Sequence, residues 1–153
     1  MRPGSFVWLG LLGSVAVACG GSGGASSDGA SAFVGSWTSN GTQTEMCSGA
    51  THADPGTLSV TIVAGPSAGQ ITTQASGCSL NWSVIGAVAT LAGNQTCGTV
   101  PGSVGGTWTP TFVAGTLTLD GDTITVSDSG NATYVNGVTQ TCTFTQSGTY
   151  TKN

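Results

Sequence analysis

The chain has 153 residues, with only 2 Lys or Arg against 6 Asp or Glu and a formal charge of −4. Nucleic-acid binding needs basic side chains to meet phosphates, so this composition excludes it. Acid–base catalysis needs titratable groups, and with so few of them and a single His the sequence argues against an enzyme.

Arg2 is followed by an uncharged apolar run over residues 6–18. The run is too short for a membrane-spanning helix, which needs about 20 residues, and suits the apolar region of an export signal. Ala16, Val17, Ala18 and Cys19 resemble the lipobox of bacterial lipoproteins, with Ala16 where that family usually has Leu. The resemblance implies cleavage before Cys19, lipidation of Cys19 and attachment to a membrane by several acyl chains, where one alone is marginal. Gly20 after the Cys, in place of Asp, implies the outer membrane of a Gram-negative envelope. The alternative is an ordinary secretory signal cut near Ala18, with Cys19 left as a thiol.

Residues 20–31 form a flexible Gly/Ser tether. The chain thus divides into a signal at 1–18, an acylated Cys and tether at 19–31, and one β domain at 32–153, long enough for a real core. Beyond the signal, Lys152 is the one Lys or Arg.

From Phe33 onward no helical period is visible. Thr with Val, Ile, Leu and Trp is a strand composition, so no helix is expected after the signal. Phe33, Gly35 and Trp37 fall on one face of the first strand. Asn40 and Gly41 form a hairpin signal, and residues 48–56, with His52 and Asp54, read as a loop. Leu58, Val60 and Ile62 alternate as the inward face of a strand, and Ile71 points inward on the return strand.

Between them, Gly65, Ser67 and Gly69 match G-x-S-x-G. A nucleophile elbow needs a helix after it; here Pro66 and a Thr-rich strand follow, so the segment is read as a turn. His52 with Asp54 could form a base and its orienter, and is read instead as exposed loop decoration.

Cys78, Leu80, Trp82 and Val84 share a face. A turn at Ile85-Gly86 or Gly86-Ala87 brings Ala87, Ala89 and Leu91 to that face, with Trp82 over Ala89 or Leu91. Residues 93–106 form a second loop. Pro110, between Trp108 and Phe112, marks an edge or bulge. Leu117 and Leu119 face Ile124 and Val126 across a turn at Asp120 and Asp122. Those acids with Asp128 could bind calcium through oxygen, but lack the spacing and are read as a turn. In the last hairpin, a two-residue turn puts Val135 on the face of Cys142 and Phe144, and a three-residue turn puts Tyr134 there.

The pattern predicts an all-β fold, an antiparallel meander of about eight to ten short strands. A closed barrel or strongly curled sheet removes exposed edges, and a β-sandwich is the runner-up. Setting Cys19 aside leaves Cys47, Cys78, Cys97 and Cys142. In an exported domain these form disulfides, and several pairings are open. Cys78–Cys97 would close the ends of the central hairpin, leaving Cys47–Cys142 to tie an early strand to the last, as barrel closure requires. Zinc sites need closer Cys or His pairs, so neither metal nor other cofactor is expected.

Gly35, Ser36 and Trp37 resemble the G-x-W motif of lipocalins, which implies that Trp37 plugs one barrel end. In lipocalins an Arg near the last strand packs over that Trp, and this chain has no Arg after Arg2. The lipobox, the tether, the four later cysteines and the phrases around Cys78, Cys97 and Cys142 resemble a set of uncharacterised bacterial lipoproteins. That resemblance implies a location and a fold, with no assigned activity.

Three functions follow as expectations for what reads as a monomer. One is a binding module whose interior, lined by Trp37, Trp82 and Trp108, holds a small apolar ligand; the same aromatics could instead simply fill the core. The second is an interaction protein, such as an inhibitor of an envelope hydrolase, acting through residues 48–56 and 98–106. The third is a passive envelope component.

Overall fold

Alternation of Val, Ile, Leu and Trp with Thr and Ser is written out as strands almost from end to end. The structure, a computed structural model, describes residues 29–102 and 105–153. The signal, Cys19 and the tether as far as residue 28 lie outside the described residues. One helical turn, α1 (Ala30–Phe33), precedes β1 (Gly35–Cys47), β2 (Ala50–Ala64), β3 (Gln70–Ala75), β4 (Cys78–Ile85) and β5 (Val88–Leu91). Two short strands, β6 (Gln95–Thr96) and β7 (Val100–Pro101), lead into β8 (Thr107–Asp120), β9 (Thr123–Asn136) and β10 (Val138–Lys152).

All pairings are antiparallel. The order β5-β4-β3-β2-β1-β10-β9-β8 is closed by β5 on β8, so eight strands form a ring, and among the described residues no second sheet packs face to face as in a sandwich. The ring is uneven because its strands differ in length. β1, β2, β8, β9 and β10 run 13 to 15 residues, well beyond the short strands expected, whereas β3, β4 and β5 have only 4 to 8. β3 pairs with β2 only over its last residues, Thr61 to Ala64. The first half of β8 is paired instead with β6 and β7. The lower half is therefore a closed barrel and the upper half a gutter.

The closed half holds the core, with Phe33, Trp37, Ile71, Trp82, Leu117 and Ile124 almost wholly buried. α1 is helical where no helix was expected, and it delivers Phe33 to the barrel end. The Trp37 indole N–H donates to the Phe33 carbonyl at 2.9 Å. Lys152, opposite Trp37 in the β1–β10 ladder, sets its ammonium 5.3 Å from the centre of the Trp37 rings. Among the described residues no helix is long and apolar enough to cross a membrane.

Several local expectations are settled by register. The β4–β5 turn is at Gly86 and Ala87, and Trp82 stands opposite Leu91. The β9–β10 pairing of Tyr134 with Gln140 and Ala132 with Cys142 brings Tyr134, not Val135, to the face of Cys142 and Phe144. A bulge interrupts β8 between Phe112 and Ala114, just beyond Pro110. Disulfides join Cys47 to Cys142 and Cys78 to Cys97.

The Asn40-Gly41 turn is a correction. Both residues run straight through β1, and the hairpin turns at Ser48 and Gly49, whose φ values of 49° and 81° are both left-handed. Residues 50–56 are accordingly strand and not loop. The inward face here looks into an opening, so it carries polar residues and lacks the apolar alternation that marks a strand in sequence. Gly41 serves a different need: a β-carbon there would lie 2.7 Å from the Ser147 carbonyl oxygen, against Gly148.

Candidate functional site

Register places three glycines side by side on the interior face. Gly56 of β2 pairs with Gly41 of β1, and Gly41 with Gly148 of β10. They share the inward parity of Leu58, Ser39 and Tyr150, so three adjacent strands present bare backbone at one level. One step up lies a polar row across four strands: Asp54 opposite Gln43, Gln43 opposite Gln146, and Gln146 opposite Asp128. The missing side chains leave a cavity of about 490 Å³ that opens through the gutter. Its apolar lining includes Leu58, Val60, Leu80, Trp82, Phe112 and Phe144. Edge-on packing of Phe112 against Phe144, at 5.0 Å between centres, stiffens one wall.

Asp128 is the chemically unusual member. It is 7% exposed, lines the cavity, and its Oδ1 has no hydrogen-bond partner. Burial pushes its carboxyl up to about 7, since a low-dielectric site disfavours the charged form. Burial, with the Asp128 charge adding to it, raises the Tyr150 hydroxyl too. Among the described residues the other buried side-chain polar atoms have partners; the Trp82 indole N–H, for one, donates to Thr73 Oγ1 at 3.0 Å.

The rim is acidic. Glu45 accepts a hydrogen bond from Gln43 Nε2 at 2.5 Å, and partial burial raises its carboxyl. His52 Nε2 lies 2.9 Å from Asp54 Oδ1, and His52 is 63% exposed. The pair thus sits on an inward-facing strand at the mouth, whereas the sequence suggests a loop.

Of Trp37, Trp82 and Trp108, the last two line the cavity, and Trp37 is buried beneath it at the closed end. Cys47, Cys78 and Cys97 lie along the lining, so both disulfides brace it. Cys19 is outside the described residues. The G-x-S-x-G segment is a hairpin turn closed by the Gly65 N–H on the Gln70 carbonyl at 2.9 Å, with Ser67 exposed and β3 next. Asp120 and Asp122 flank the β8–β9 turn, remote in register from Asp128. Among the described residues no group of three His, Cys, Asp or Glu is placed to hold a metal ion.

The burial of Asp128 and the glycine row are features of the cavity that sequence reading missed. A signal for Asp128 existed: Ile124 and Val126 set the inward parity of β9, and Asp128 shares it. Gly56 likewise shares the parity of Leu58 and Val60. No family model matches this chain, no curated protein matches it, and no solved structure matches it.

Proposed function

We propose that this is a lipid-anchored envelope protein whose barrel interior holds a small, mainly apolar ligand. The observation that carries this reading is the cavity of about 490 Å³, within the roughly 300–1,000 Å³ usual for small-molecule sites. Apolar walls with a few polar groups are the pattern such sites follow. A core evolved only to be filled would not place glycines at three adjacent inward positions, since interiors pack closely.

The anchored location is inferred from the lipobox-like residues ending at Cys19 and from the tether behind it. Two disulfides suit an exported, oxidising compartment. Trp37 at the closed end, with Lys152 over its ring, supports the likeness to lipocalins suggested by Gly35-Ser36-Trp37; Lys152 takes the place of their Arg. Binding by a monomer, without cofactor or catalysis, is the activity proposed.

The test uses the mature chain with Cys19→Ser, exported on an ordinary signal so that no acyl chain competes for the site. This form keeps the whole ring and both disulfides. Titration with the neutral apolar dye N-phenyl-1-naphthylamine is expected to give saturable one-to-one fluorescence enhancement. Non-saturable partitioning, or none, would overturn the reading.

A further inference from the structure

We propose that the cavity selects ligands that carry an amine, seating the ammonium group against Asp128 while the apolar remainder lies along Trp82, Phe112 and Phe144. This deepens, and rests on, the binding reading above.

The first observation is the orphan oxygen. Asp128 lines the cavity, and its Oδ1 is buried with no partner in the protein, although native proteins satisfy nearly all such atoms. In its ionised form this carboxyl has only acceptor sites, so a donor is what completes it, and a cationic donor favours that form. Gln146 and Gly115, its register partners, leave Oδ1 unmet. A donor group on the occupant of the cavity would complete it.

The second observation is the charge of the surroundings. The ionisable side chains along the cavity are Glu45 on β1, His52 and Asp54 on β2, Asp128 and Tyr134 on β9, and Tyr150 on β10. Three are carboxyls, and His52 is already paired with Asp54. Lys152, the one Lys of the chain, is held over Trp37 at the closed end. A fatty carboxylate or a phosphate would meet acids and no fixed cation. An ammonium group would meet the reverse, and a charge-assisted bond to a buried carboxylate is among the stronger contacts available.

A third observation separates this site from a purely apolar one. An unpartnered buried acid is a standing cost to the fold. Broken local rules of this kind concentrate at functional sites.

The experiment is competition against bound N-phenyl-1-naphthylamine by octylamine, octanol and octanoate, which share one chain and differ in the head group. The Cys19→Ser mature chain is compared with its Asp128→Asn and Asp120→Asn variants. Asp120 lies in the exposed β8–β9 turn and removes the same unit of charge far from the cavity. Octylamine is expected to compete about ten-fold or more better than octanol, and octanoate worse than both. Asp128→Asn is expected to erase the preference for octylamine over octanol, and Asp120→Asn to retain it. Equal competition by all three would overturn the amine inference and leave the apolar cavity standing. Preference for octanoate, or an amine preference that survives Asp128→Asn, would also overturn it. Failure of the dye and of every probe to bind would remove both readings together.

Discussion

Asp128 and Trp82 both close on the bare backbone of Gly115. A β-carbon on Gly115 would stand 3.0 Å from the six-membered ring of Trp82 and 3.1 Å from the Asp128 β-carbon. The bare backbone of β8 at this point lets a core aromatic and the cavity carboxyl come together. Gly115→Ala is therefore expected to destabilise the domain by about 1–3 kcal/mol, the usual cost of overpacking. Urea unfolding read by Trp fluorescence checks this, and an unchanged midpoint would show that the contact has slack.

Stability should fall as pH rises through the range where Asp128 titrates. Its carboxyl ionises near 3.8 when solvated and at about 7 in the fold. Between those values the folded state holds a proton that the unfolded chain has released, so stability declines with increasing pH and levels off above about 7. The ceiling is roughly 4 kcal/mol for a shift of this size. Glu45, also raised by burial, contributes a slope of the same sign. Asp128→Asn is expected to flatten most of the decline and to be more stable than the parent at pH 8. Urea midpoints at pH 5 and pH 8 for both proteins measure this.

Gly56 offers a way to close the cavity without harming the fold. A β-carbon there would meet nothing within 4 Å, and its φ lies outside the left-handed region. Gly56→Leu is expected to abolish saturable dye binding with a stability change within about 0.5 kcal/mol, as for a substitution that removes no contact. Thermal unfolding and dye titration on one sample separate the two effects.

The two disulfides should contribute unequally. Cys47 and Cys142 lie 95 residues apart, Cys78 and Cys97 only 19. In the chain-entropy model, loops of these sizes are worth about 4–5 and about 3 kcal/mol. Replacing Cys47 and Cys142 together by Ala is thus expected to lower the urea midpoint more than replacing Cys78 and Cys97. The long link also ties β1 to β10 beside the cavity, so its removal should weaken dye binding as well.

Much of the lower barrel was legible residue by residue. Leu58, Val60 and Ile62, or Cys78, Leu80, Trp82 and Val84, alternate cleanly because one face meets a dry core and the other meets water. The upper strands were hidden because their inward faces carry Gly41, Gln43, Glu45, His52 and Asp54. Asn40 and Gly41, a turn signal in isolation, became mid-strand once Gly41 was paired with Gly148.

Local chemistry by itself determined the all-β composition, the positions of most turns and the inward parity of each apolar strand. Those properties depend on neighbours along the chain, where alternation and turn residues act directly. Only the tertiary structure decided which glycines stand side by side and that Asp128 is buried without a partner. It also decided that Trp37 is buried beneath the cavity while Trp82 and Trp108 line it. Each of these depends on the register between strands far apart in sequence, and register across a closed ring is set by the sum of all its pairings.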